Sequence, residues 1–459
     1  MQNRNENKMG VMPIPKLILN MSLPMILSML VQALYNIVDS YFVAQINEAS
    51  LTAVSLAFPA QNLMIGVATG TAVGVNALLS RALGEKNPKL ANQIAENGVF
   101  LALMGYAVFL IFGVFGVRFF FTAQTGVAQI IDYGVEYLSV ICCFSFGVFG
   151  QIMFERLMQS TGRTIYTMFT QGIGAIINII LDPVFIFVFG MGVKGAAIAT
   201  VIGQIVAFSI AVVLNHMKNP DVQLSLKTFR PSRRIIGKIY AIGVPSIIMV
   251  AIGSVMMFCM NKILITYTVG KETAATVFGV YFKLNSFIFM PIFGLNNGII
   301  PIIAYNYGAR NRLRMVKAIK LAVIFASGYM FFGLMLFMLI PGALLGIFNA
   351  SEAMLAIGIP ALRIIGSTFL FAGACIAMGS VFQALGFGVY SMLVSIARQL
   401  LVLIPAAYIL ARIGQRSAND MLVWFSFPIA EIASLTVTLV LFVRMYNKVI
   451  RDIPDGAKA

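Results

Sequence analysis

Five carboxylates stand inside long apolar runs of this chain: Asp39, Glu136, Glu155, Asp182 and Glu431. A charged group at the centre of a bilayer costs about 2.5–3.5 kcal/mol on insertion scales, so each needs a reason to be there. Ser28, Gln32, Tyr35 and Asp39 recur at helical spacing and form one polar stripe, with Asn36 beside it. Gln171, Asn178 and Asp182 mark one face of a later segment, and Thr200 and Gln204 lie one turn apart on the next. Pro183 removes a backbone donor just after Asp182, which predicts a kink or a freed carbonyl one turn back. Two carboxylates held together in a low-dielectric cavity cannot both stay ionised cheaply; one takes up a proton, or a cation sits between them. Asn178, Thr200 and Tyr35 carry oxygens that complete a hydrogen-bond network or a cation shell. The chemistry expected is therefore reversible binding of a proton, or of sodium at Asp39, Asn178 and Asp182. The competing reading makes both aspartates helix-packing groups bonded to neighbouring Ser, Thr or Asn. Gln32, Asn36, Tyr137, Glu155, Gln171, Gln204 and Met290 are the expected walls of a substrate cavity. Glu155 stands next to Arg156, which also fits a plain interfacial ion pair, and Glu136 is read as solvated.

The elements that must position these groups are membrane helices. Of 459 residues, 60% are hydrophobic and only 10% charged, against roughly 25% in a soluble domain. Mean hydropathy is +0.92. A soluble globule of this composition would expose large apolar patches, so a polytopic all-α membrane protein remains. Twelve apolar stretches can be marked, roughly 14–44, 51–83, 93–119, 128–158, 163–190, 193–217, 238–268, 273–305, 314–339, 353–384, 389–413 and 418–448. The one long polar connection, 218–237, splits the chain into six-span lobes at 1–217 and 238–459. The net charge of +16 follows the membrane-orientation rule rather than nucleic-acid binding. With the N-terminus inside, 23 Lys and Arg fall on inner segments, Arg4, Lys227 and Lys458 among them. Five, including Lys271, fall outside, and four (Lys262, Lys283, Arg363, Arg398) lie within spans. Both termini are expected on the cytoplasmic side of the plasma (inner) membrane. The four cysteines sit in apolar runs and there is one histidine, so no metal site or disulfide is expected. No GxxxxGK[ST] occurs, which argues against ATP drive, and no enzyme motif appears.

The halves look like copies. Leu23-Pro24 pairs with Val244-Pro245, Arg81-Ala82-Leu83-Gly84 with Tyr305-Asn306-Tyr307-Gly308, Gln159-Ser160-Thr161-Gly162 with Gln383-Ala384-Leu385-Gly386, and Gln204 with Glu431. Two parallel repeats related by an axis along the membrane normal, with a cavity at mid-depth, indicate alternating access. The partners of Asp39 and Asp182 in the second half are apolar (Met260 and near Ala406), and that half instead places Lys262, Lys283, Arg363 and Arg398 in its spans. Lys283 is expected either to snorkel or to pair with Glu431. Gly66, Gly70 and Gly74 form a small-xxx-small ladder suited to close helix packing.

These residues resemble the multidrug and toxic compound extrusion (MATE) transporters over nearly the whole chain. The resemblance is carried by Pro24 through Ser40, Ser80-Arg81-Ala82-Leu83-Gly84, Gln159 through Thr164, Asn178-Ile179-Ile180-Leu181-Asp182-Pro183, Gly195 through Thr200, and the second-half echoes at Pro301, Tyr305–Gly308 and Gln383–Gly386. It implies a V-shaped pair of six-helix lobes that exports cationic, lipophilic small molecules in exchange for protons or sodium, with membrane lipids around it and no further cofactor. The site implied is Asp39, Asn178 and Asp182, with Tyr35, Tyr137 and Thr200 nearby. A monomer is expected. Family members often carry Asn where this chain has Glu155. Another branch uses acids on spans seven and ten, which here contain none. The rival expectation is a flippase for an anionic lipid-linked precursor, which would need a basic cavity.

Overall fold

The computed structural model describes residues 7–225, 229–268, 270–348, 350–417 and 419–454. Arg4, Lys227 and Lys458 lie outside the described residues, as does the side chain of Lys271. Ten helices among them are long and apolar enough to cross a membrane, and two bent pairs complete twelve spans. In chain order these are α1 (Ile14–Ala44), α2 (Ala49–Gly84), α3 (Pro88–Thr122), the bent α4 (Ala128–Cys143 with Phe146–Ser160), α5 (Thr164–Val188) and α6 (Gly192–Lys218). The second set is α7 (Arg233–Tyr267), α8 (Thr273–Gly308), α9 (Arg312–Leu339), the bent α10 (Glu352–Gly366 with Phe369–Ala384), α11 (Gly388–Ser417) and α12 (Leu422–Ile450). At about 1.5 Å rise per residue, a span such as α1, with 31 residues, exceeds the roughly 30 Å hydrocarbon core.

Local chemistry sets the boundaries, and it does so twice. The Asn87 side chain accepts from Leu90 N at 3.0 Å to open α3, and Asn311 accepts from Arg314 N at 3.1 Å to open α9. Just before these caps the chain turns through positive φ at Lys86 (54°) and Arg310 (52°). Gly162 and Gly386 both adopt φ 88° between the fourth and fifth span of each half. A side chain there would strain against its own backbone. Each pair is separated by 224 residues, inside the range of offsets that the sequence pairing uses. The repeat extends to the bends: α4 turns by 44° and α10 by 49°.

The lobes meet at the end that carries the basic connections. The glycine ladder of α2 lies on α7, where a Cβ on Gly70 would come within 2.9 Å of the Gly243 carbonyl oxygen and one on Gly74 would overlap that of Ile239. At the tip, α2 and α8 cross reciprocally. A Cβ on Gly84 would overlap the Tyr305 carbonyl oxygen, and one on Gly308 that of Arg81. Ser22 donates to Leu295 O (3.3 Å) and Arg156 to Asn297 (2.9 Å) across the same seam. The two hydrophobic cores are correspondingly interleaved. Met9, Leu17, Ile18 and Met21 pack into the core of the second lobe, and Ile235 and Ile239 of α7 into that of the first.

Gly84→Val should lower the thermal unfolding midpoint of the detergent-purified protein, since overpacking a fixed backbone contact costs about 1–3 kcal/mol. Gly237→Val, where nothing lies within 4 Å, should leave it nearly unchanged. Equal midpoints for the two variants would remove the close crossing.

Candidate functional site

The polar stripe of α1 faces into the first lobe. Ser28 is buried and returns its hydroxyl to the Pro24 carbonyl (2.9 Å), while Gln32 and Tyr35 line a cavity of about 140 Å³. Gln151 and Glu155 of α4, Gln171 and Asn178 of α5, and Thr200 and Gln204 of α6 close it, with Met25 and Met29 as its apolar wall. Small-molecule pockets run to roughly 300–1,000 Å³, so this cavity suits ions and waters and is too small for a drug-sized body.

Asp182 does not itself line this cavity; it lies one turn beyond the lining residue Asn178 and is 0% exposed. Its Oδ1 accepts from Asn178 Nδ2 at 3.2 Å, and the same amide donates to Thr200 Oγ1 at 3.2 Å. Asp182 Oδ2, Asn178 Oδ1 and one oxygen of Asp39 have no hydrogen-bond partner among the described residues. Asp39, half-buried on α1, is close enough to Asp182 for their charges to interact, and Tyr35 and Tyr137 feel both. Two carboxylates separated by more than 140 positions in the sequence thus each carry a buried acceptor oxygen without a partner among the described residues. Acceptors of that kind, out of water, are chemically suited to a proton or a small hard cation. The α5 backbone after Pro183 widens into a π-helical turn, Val184–Val188, where Phe189 N bonds to Val184 O at 2.9 Å.

Glu155 differs from the simple ion pair. It is 2% exposed and accepts from Gln151 (3.0 Å), Thr170 (2.9 Å) and Gln171 (2.7 Å). Arg156 turns away to Gln159 and, across the lobes, to Asn297, both at 2.9 Å. The bend between Cys143 and Phe146 divides α4, so Tyr137 and Glu155 lie on different segments. Tyr137 is buried and accepts from Gln61 Nε2 at 3.2 Å, outside the lining of the small cavity. Asn36 is exposed and Met290 half-buried, and neither borders that cavity. Gln151 and Thr170 were not singled out by spacing, although Gln151 stands one turn before Glu155 and Thr170 directly before Gln171.

In the second lobe, Lys262, Lys283 and Arg363 lie exposed on helix surfaces, with the Lys283 ammonium 5.8 Å from the Phe348 ring centre. The partner of Glu431 is Arg398, at 3.5 Å, and not Lys283.

A family model described as MatE matches residues 24–184 and 245–409. The multidrug export protein MepA of Staphylococcus aureus is 27% identical over 410 residues, 87% of each chain. That of Staphylococcus haemolyticus is 26% identical over 400 residues, 86% of each. A solved structure of a multidrug resistance MATE family transporter of the MOP superfamily, in an outward-facing conformation, superposes with TM-score 0.91 at 25% identity, over 98% of this chain and 99% of that one. A MOP superfamily transporter from Pyrococcus furiosus, whose binding pocket of reverse polarity is taken to suggest a different function, gives 0.91 at 25% identity over 98% and 100%.

Asn178→Ala should destabilise the purified protein by about 1–3 kcal/mol, because Asp182 loses a buried donor. Thr200→Val, which removes one neutral bond, should cost less. Thermal or denaturant unfolding compares them, and a Thr200→Val penalty larger than that of Asn178→Ala contradicts the network.

Proposed function

The chain belongs to the multidrug and toxic compound extrusion (MatE) family, and on that premise we propose that it exports lipophilic organic cations across the plasma membrane by exchange for protons or sodium. The coupling site of this reading is Asp39, Asn178 and Asp182, with Tyr35 and Thr200 completing the shell. The observation that carries it is the buried Asp182 carboxylate, half-satisfied by Asn178 and within electrostatic reach of Asp39. A helix-packing role alone would leave neither oxygen waiting for a partner.

The end where the lobes meet carries Arg81, Lys86, Arg163, Arg310 and Arg314, which by the positive-inside rule is the cytoplasmic side. The arrangement then corresponds to a carrier closed to the cytoplasm, with both termini inside. In the cytoplasm-open state the ionised first lobe favours an organic cation. In the outward-open state, proton or sodium binding neutralises the aspartates, and the compound leaves. Ion and compound must be largely exclusive, since a ligand with equal affinity for both states shifts no equilibrium. Each charge moved inward draws on roughly 2.3 kcal/mol per 100 mV of membrane potential. Pairing of Arg398 with Glu431 leaves the second lobe without an uncompensated cluster of inward-facing bases, which favours cation export over handling of an anionic lipid precursor.

In proteoliposomes, Asp39→Asn and Asp182→Asn should each abolish cation-driven proton or sodium release while expression and folding persist. Imposing the two gradients separately identifies the ion. Wild-type efflux rates in both variants would sink this mechanism.

A further inference from the structure

The small cavity of the first lobe leaves the bulky compound without a place, and the second lobe supplies one. A chamber of about 270 Å³ lies there, and one of about 470 Å³, bounded also by Thr69, Gly70 and Val73 of α2, adjoins it; the two share Gly253, Phe289, Phe293, Arg398 and Gln399 as common walls. Together they reach the size range of small-molecule sites. The smaller chamber is walled by Tyr281, Phe289, Phe293, Phe369 and Phe427. Its rings are fixed against one another, Tyr281 to Phe427 and Phe289 to Phe369 both at 5.6 Å between centroids. Among these rings stands one carboxylate, Glu431, which is 7% exposed and whose Oε1 has no hydrogen-bond partner. Asn285 presents a second unpartnered oxygen to the same space. Among the described residues the charge that faces Glu431 is Arg398, at a loose 3.5 Å, and the Arg398 side chain keeps 31% of its surface exposed.

The repeat makes this arrangement informative. The offset of 227 relates Gln204 to Glu431, while the offset of 224 that aligns Gly162 with Gly386 relates Gln171 to Ser395, three residues before Arg398. In the first lobe the Gln204 position is a neutral amide on the ion cavity; in the second it is an acid, with Arg398 facing it. A desolvated carboxylate is expensive unless a cation accompanies it, and aromatic faces favour that cation further.

We propose that the second-lobe chamber is a binding site for an aromatic organic cation, with Glu431 as its counter-ion and Arg398 as a tethered guanidinium that the ligand displaces. The site rests on the reading of this chain as an exporter of organic cations and adds to it the compartment that holds the compound. Arg398 keeps the buried acid compensated when the chamber is vacant. Its position on the wall shared by both chambers lets it swing toward the larger one when a ligand takes its place.

Equilibrium binding to the full-length protein in detergent tests this without any requirement for coupling, so its failure is distinct from failure of transport. The probes are tetraphenylphosphonium and tetraphenylborate, which share shape and differ in charge sign. The phosphonium should bind and the borate should not compete. Glu431→Gln should weaken phosphonium binding by about tenfold or more, the loss of one contact to a charged group. Arg398→Gln should tighten it about threefold or more by removing the internal competitor. Tyr281→Leu with Phe427→Leu should weaken the phosphonium more than tetrabutylammonium, which keeps the test available should a charge variant fail to fold. Binding unaltered by Glu431→Gln, preferential binding of the borate, equal loss from Glu431→Gln and Arg398→Gln, or equal loss of both cations in the aromatic variant would each overturn the proposal. Cation export that is insensitive to Glu431 removes the chamber and leaves export intact.

Discussion

The cost of taking a carboxylate out of water governs this molecule. Asp182 is wholly buried, and a neutral amide satisfies one of its oxygens. An ionised group left so incompletely compensated is unstable in a low-dielectric interior. It must acquire a proton or a cation, or gain access to solvent, and each of these is a distinct state of the protein. Asp39 raises the stakes because its charge acts on the same site from another helix. Glu155 shows the contrast: three donors surround it, so both of its oxygens have partners within the fold.

A site that changes its charge does useful transport only when the lobes can close at alternate ends. The seam between them is built for close approach without permanent locking. Glycines of α2 and α8 place backbone on backbone, and the polar contacts across it include Ser22 with Leu295, Arg156 with Asn297, and Arg314 with the Met9 and Met12 carbonyls. Arg156 stands one residue from Glu155 and reaches the opposite lobe, which gives the cavity wall a direct link to the seam. Interleaving of the cores adds a constraint. The beginning of α1 packs in the core of the second lobe while its polar stripe faces the cavity of the first, and Pro24 lies between the two portions.

Duplication gave both lobes the same frame and left their electrostatics free to diverge. Caps, positive-φ turns and bends recur at nearly constant spacing, because they fix backbone paths that both halves require. The side chains facing each cavity do not recur. The first lobe has aspartates with amides; the second has an acid neutralised by its own arginine among aromatic rings. In the cycle proposed above, the small polar cavity would hold the ion and the larger aromatic one the bulky body.

The chain alone determined a great deal, since burial in a membrane leaves few options. Long apolar runs must be helices, because every backbone group has to be satisfied within its own segment. The polar stripe of α1 and the Asn178–Asp182 face had to point inward, since lipid offers them nothing. Pro183 announced a disturbed helix by the donor it lacks. Tertiary structure decided what spacing cannot encode. The bend that separates Tyr137 from Glu155, and the turning of Arg156 toward the other lobe, depend on neighbours distant in the chain. Which of four span-embedded basic residues faces inward was equally hidden. Lys262, Lys283 and Arg363 reach the surface, while Arg398 meets Glu431, because helix rotation within a packed bundle, and not composition, sets the side each group faces.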